Sequence, residues 1–117
     1  MARDPLISVR DALREIEFLE APVQTSNRAD FVTDPLRVRA VAYSVQCISE
    51  AVRQLPEERL AEYTDVPWRA IKGAGNKLRH EYYRLEEDIL WGIASFDIVP
   101  LKAALLALLE KKSGIDK

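Results

Sequence analysis

DPLRVRAVAYSVQCISEAVRQLP, residues 34–56, is the longest patterned stretch in the chain, and it decides the fold class. Val38, Val41, Val45, Ile48, Val52 and Leu55 recur at alternating spacings of three and four. Each helical residue turns the chain by ~100°, so this spacing gathers the six side chains into one stripe over roughly five turns. A helix of this kind is stable only when its apolar side is buried against partners. Asp34-Pro35 supplies a capping oxygen and then a proline at the first helical position, where its missing N–H costs nothing. Leu55-Pro56 ends the helix, because the residue before a proline is pushed out of the helical region.

The flanking segments supply the partners. Asp4-Pro5 repeats the same start signal, and Leu6, Val9, Leu13 and Ile16 predict a first helix over about residues 5–20. APVQTSNRADFVTD has turn residues and no helical stripe, so it reads as a loop. PEERLAEY predicts a short helix or turn. A further helix is expected from Pro67 to about Tyr82, capped by Asp65, and a last one from Glu86 to Lys112. Pro100 lies inside that last segment and should kink or divide it. Residues 113–117 read as a frayed tail. Strand signals are weak, with no Asn-Gly or Asp-Gly hairpin turn and little period-two alternation. The sum is one all-α domain over residues 1–117, an up-and-down bundle of four to five helices.

Composition narrows the function classes. Lys and Arg number 17 against 19 Asp and Glu, so no global basic field attracts nucleic acid, and any basic stripe must be local. The one cysteine, Cys47, lies in an apolar run and reads as a small buried hydrophobe. With one cysteine and one histidine, a disulfide scaffold is excluded and a Cys/His zinc site nearly so; no metal or cofactor is expected. The N-terminus lacks the apolar core of a signal peptide. No apolar run approaches the roughly 20 residues of a membrane span, so the chain is expected to be cytoplasmic and without a membrane partner. Glu57-Glu58 and Glu86-Glu87-Asp88 sit at expected helix starts, where acids complement the helix dipole. Trp68 and Trp91 are expected core anchors.

The remaining chemistry collects around the single histidine, in GAGNKLRHEYYRLEEDILW, residues 73–91. Lys72, Asn76, His80 and Arg84 are four apart, which places two cations, an amide and an imidazole along one helix. Such a row suits an anionic ligand, with Lys and Arg on phosphate and His moving a proton near neutral pH. Tyr82 and Tyr83 offer stacking surfaces beside it. Helices routinely show polar rows, however, and from spacing alone a solvated face is the stronger reading.

PWRAIKGAGNKLRHEYYRLEEDILW, residues 67–91, resembles the signature of HepT-like proteins of the HEPN superfamily, P-W-x-x-I-x-G-x-R-N-x-x-x-H-x-Y followed by an acidic stretch and a Trp. Pro67, Trp68, Ile71, Gly73, Asn76, His80, Tyr82 and Trp91 match. VQCISEAVRQLP, with Glu50, and VPLKAALLALLE, with its internal proline, are similar to the family's other helices, so the resemblance spans most of the chain. It implies an HEPN-type bundle and a metal-independent endoribonuclease, the toxin of a type VII-like toxin–antitoxin pair. It also implies a homodimer with a shared cleft and an antitoxin partner that is a nucleotidyltransferase of the MNT type. His80 would be the general acid/base and Asn76 an orienting or RNA-contacting group. Tyr82 would be the residue that accepts AMP.

Two positions depart from the pattern. Gly75 stands where the motif arginine is expected, five residues before His80. Losing a group that stabilises developing charge typically costs about 10²–10³ in rate. Lys72, Lys77 and Arg84 are the candidate phosphate-binding replacements, though none has arginine's planar fork. Glu81 follows His80 directly, and an acid there favours the charged imidazole. The rival expectation is therefore a degenerate subunit that binds RNA, a nucleotide or its nucleotidyltransferase without cutting. A purely structural helical dimerisation module is a weaker third. Restoring the cation with Gly75→Arg would separate the first two.

Overall fold

The computed structural model describes residues 4–81 and 87–111; the side chains of Arg79, His80 and Glu81 lie outside that description. The elements are α1 (Pro5–Gln24), α2 (Arg28–Val32), α3 (Pro35–Arg53), α4 (Glu57–Leu60), α5 (Trp68–Glu81) and α6 (Glu87–Gly92), then a π-helical turn (Ile93–Asp97) and α7 (Ile98–Glu110). Among the described residues there is no strand, and the molecule is the expected all-α bundle.

Both Asp-Pro starts work as the sequence predicts. The Asp4 carboxylate accepts the Leu6 N–H at 2.9 Å, and Asp34 accepts those of Leu36 and Arg37 at 3.1 and 3.3 Å. The α3 stripe is the centre of the core. Val41, Val45, Ile48 and Val52 are at most 1% exposed, and Leu55 is buried beyond the helix end. α3 packs against α1 on one side and α5 on the other, while α7 packs on α1. Trp68 and Trp91 rest against this core, half-buried. Asp65 does not cap α5; Pro67 immediately precedes its first residue, and the Trp68 indole N–H donates to the Tyr63 carbonyl at 3.0 Å.

The expected loop between α1 and α3 is largely helical. α1 runs four residues past its expected end, with Pro22 in its last turn. The Thr25 and Ser26 hydroxyls donate to the carbonyls of Ala21 and Pro22 at 2.7 and 2.6 Å, satisfying orphan acceptors at the helix end. Asn27 then caps α2 by accepting the Asp30 N–H at 2.8 Å. Polar residues that suggest a loop are thus caps. α2 is too short to show a stripe, yet it places Phe31 in the core, fully buried, with its ring 5.3 Å from that of Trp91.

Pro100 does not divide the last helix. Its ring would crowd the Phe96 carbonyl in an α-helix. The π turn just before it opens the register, so that the Ile98 N–H reaches the Ile93 carbonyl. The helix therefore runs unbroken over Glu87–Glu110, 24 residues, long and apolar enough by length and composition to cross a membrane. That corrects the expectation that no apolar run approaches the length of a membrane span. In the bundle its inner side, including Ile98, Leu101, Leu105 and Leu108, belongs to the core.

Candidate functional site

α5 carries the residues that the sequence singles out. Its inner side is Ile71, Ala74, Gly75 and Leu78, all buried. Its outer side carries Arg69, Gly73, Asn76 and Lys77, all exposed. His80 stands in the last turn of α5. At ~100° per residue, it lies about 20° from Arg69 and Gly73 and about 40° from Asn76 around the helix axis. Tyr82 and Arg84 lie outside the described residues.

The four-residue row is less uniform than it reads. Each step of four drifts by ~40°, so Lys72 is about 80° from His80. Its ammonium pairs with Glu57 of α4 at 3.3 Å, with the lysine side chain 23% exposed and the glutamate 88% exposed. Such solvent-facing pairs contribute about 0–1 kcal/mol, so a phosphate can compete for this lysine. Asn76 is exposed and makes contacts of its own. Lys77 lies ~4.5 Å along the axis from His80 and about 60° around it, the nearest described cation along the helix. Arg69 is a residue that sequence spacing at four misses. Eleven residues make almost whole turns, and that interval returns it to the histidine face.

Gly75 has a structural reason. Its N–H donates to the Ser49 hydroxyl at 3.1 Å, and that hydroxyl donates to the Lys72 carbonyl at 2.9 Å. Here α3 and α5 approach so closely that a Cβ at position 75 would overlap both Cβ and Oγ of Ser49. Glycine is needed for the approach, and this packing leaves an arginine no seat. Ser49 itself is fully buried, and only the packed structure reveals its role.

A groove of about 500 Å³ opens beside the outer face of α5. Arg69, Gly73 and Lys77 line it from α5, with Ile89, Gly92, Ile93, Phe96 and Asp97 opposite. Phe96 is 69% exposed there. Burial raises the Asp97 carboxyl above the ordinary carboxylate range. On the outer side of α3, Cys47 is half-buried rather than fully buried. Burial pushes its thiol up, opposed by a hydrogen bond with Tyr43. Among the described residues, no group of three or more His, Cys, Asp or Glu could hold a metal ion.

Known proteins agree on the family. The family model described as Ribonuclease HepT-like matches residues 12–108. "Putative RNase TTE0752" of Caldanaerobacter subterraneus subsp. tengcongensis is 37% identical over 100 residues, 86% of this chain and 89% of that protein. "Probable ribonuclease HepT" of Thermococcus cleftensis is 28% identical over 94 residues, 80% of this chain and 86% of that protein. In Methanocaldococcus jannaschii, "Gamma-glutamylcyclotransferase and putative RNase MJ0434" is 27% identical over 111 residues; 95% of this chain matches 50% of that larger protein. No solved structure matches. With the family model covering α5 and most of the bundle around it, this chain belongs to the HepT-like ribonuclease family.

Proposed function

We propose that the chain is a metal-independent endoribonuclease, the toxin of a pair whose antitoxin is an MNT-type nucleotidyltransferase, acting as a cytoplasmic homodimer. The observation that carries this reading is the outer face of α5, where Arg69, Asn76 and Lys77 are exposed on the helix whose last turn contains position 80. His80 takes and returns the proton as general acid/base. Asn76 orients the RNA, and Lys77 meets the reacting phosphate in place of the cation that position 75 cannot hold. Lys72 and Arg84 remain secondary phosphate contacts, and Tyr82 is the acceptor for AMP from the antitoxin. Dimerisation draws support from Phe18, Leu36 and Tyr43, large apolar side chains 65–79% exposed on α1 and α3.

Cleavage of a labelled RNA in the presence of EDTA tests the reading. His80→Ala should abolish the cleavage, and Lys77→Ala should slow it about 10²-fold. Parental cleavage by purified His80→Ala would refute the assignment of the acid/base. The second reading, a degenerate binder, is favoured by the closed seat at Gly75. Gly75→Arg cannot separate the two, because it strikes the α3–α5 contact. RNA binding without any cleavage, at protein in excess over RNA, identifies the binder.

A further inference from the structure

The groove beside α5 has features that proton transfer at His80 does not require. Its two sides differ in chemistry. Arg69 and Lys77 supply positive charge from α5, and neither has a charged partner among the described residues. The opposite side supplies an exposed aromatic ring, Phe96, and a carboxylate, Asp97. Gly73 and Gly92 line the groove from facing helices, and a Cβ at either would meet nothing within 4 Å. These two glycines therefore relieve no clash inside the protein, unlike Gly75; what they keep open is the groove. A volume of about 500 Å³ falls within the range of roughly 300–1,000 Å³ typical of small-molecule sites.

We propose that this groove is a nucleotide subsite for single-stranded RNA. One base lies on Phe96 between Gly73 and Gly92, an exocyclic amino group of that base donates to Asp97, and Arg69 and Lys77 hold flanking phosphates. The inference deepens the ribonuclease reading and rests on it. Charge complementarity selects the occupant, because two unpaired cations on one rim attract a polyanion. The open ring face suits a base, which stacks on aromatic side chains whatever its sequence. The carboxylate adds a preference. It accepts hydrogen bonds only, so it favours the amino-bearing edges of cytosine, adenine or guanine. Uracil has no amino group, and its two carbonyls flank its one N–H. Partial burial on that side of the groove raises the Asp97 carboxyl above the ordinary carboxylate range. The groove runs beside α5, the helix that carries exposed Asn76 and, in its last turn, position 80, so an RNA held there lies along the same helix.

Fluorescence anisotropy with dye-labelled oligo(A), oligo(C) and oligo(U) 12-mers, using the full chain as His80→Ala to prevent cleavage, tests the proposal. Oligo(A) and oligo(C) should bind more tightly than oligo(U), and Asp97→Asn should level that difference. Phe96→Ala should weaken oligo(C) binding by about 5- to 150-fold, the usual range for losing one base stack. Gly73→Leu should fill the groove and weaken binding at least about 10-fold while the melting temperature holds or rises, since helical Gly is a poor helix former. Parental affinity in both Phe96→Ala and Gly73→Leu overturns the subsite and leaves the catalytic reading intact. If those variants spare RNA but abolish capture of a protein partner, the groove is a protein interface and the proposal fails. Failure of the catalytic reading has a different signature, cleavage that survives His80→Ala.

Discussion

Gly75→Ala should destabilise the protein, whereas Gly73→Ala, two residues away on the same helix, should stabilise it. Helix propensity alone predicts a gain of about 1 kcal/mol for either change. At position 73 the new methyl meets nothing within 4 Å, so that gain stands. At position 75 the methyl overlaps Cβ and Oγ of Ser49. Swinging the hydroxyl aside does not clear the Cβ, so α3 and α5 must move apart. Overpacking of this kind costs about 1–3 kcal/mol. The displaced hydroxyl also gives up its bonds with the Lys72 carbonyl and the Gly75 N–H, at about 0.5–1.5 kcal/mol each. After subtracting the propensity gain, the net loss is about 3 kcal/mol. For a chain of this length that lowers the melting temperature by roughly 10 °C. Thermal denaturation followed by circular dichroism, checked by urea titration, measures both variants. Ser49→Gly supplies the other half of the cycle. In that background Gly75→Ala should become neutral or stabilising, giving a coupling of about 3–4 kcal/mol. A melting temperature that rises for Gly75→Ala in the parent chain refutes the close-approach account.

Phe31→Ala should cost about 3–5 kcal/mol despite lying in a five-residue helix, and urea unfolding measures it. Asp97→Asn should raise the melting temperature at pH 7. The folded carboxyl has a raised pKa, so its contribution is fully present below the unfolded value of 3.8 and is lost as pH rises through the folded one. The advantage of the amide should accordingly vanish when melting is measured near pH 3, and an equal gain at both pH values would contradict the burial argument. Cys47 should be alkylated by iodoacetamide more slowly than a free thiol at pH 8, with a titration midpoint above 9.0 followed by mass spectrometry.

The fold was legible where a periodic signal was long. Six apolar positions from Val38 to Leu55 mark α3, and two Asp-Pro pairs mark helix starts that bond as expected. It was illegible where the deciding interaction is local and short. One turn of helix cannot display a period, so α2 and its Phe31 are hidden behind capping residues. A proline reads as a break until a register change is available to absorb it. At the site, family spacing picks out His80 and Asn76, but counting in fours selects Lys72, which faces Glu57, and passes over Arg69. Gly75 in the sequence is a missing cation. In the bundle it is half of a contact with Ser49, 26 positions away, and no pattern within one helix carries that pairing.

The π turn sets rotational phase. One helix serves two sets of neighbours: α6 packs against α2 and α3, while α7 packs against α1. The extra residue in the turn offsets the two halves by most of 100°, so Trp91 can face Phe31 while Leu101 and Leu105 face the core. Phe96 and Asp97 lie inside the offset itself. The length of this segment, more than its composition, therefore tunes the groove. Removing one residue between 93 and 97 would rotate α6 away from its neighbours and carry Ile89 and Gly92 out of the groove in the same step.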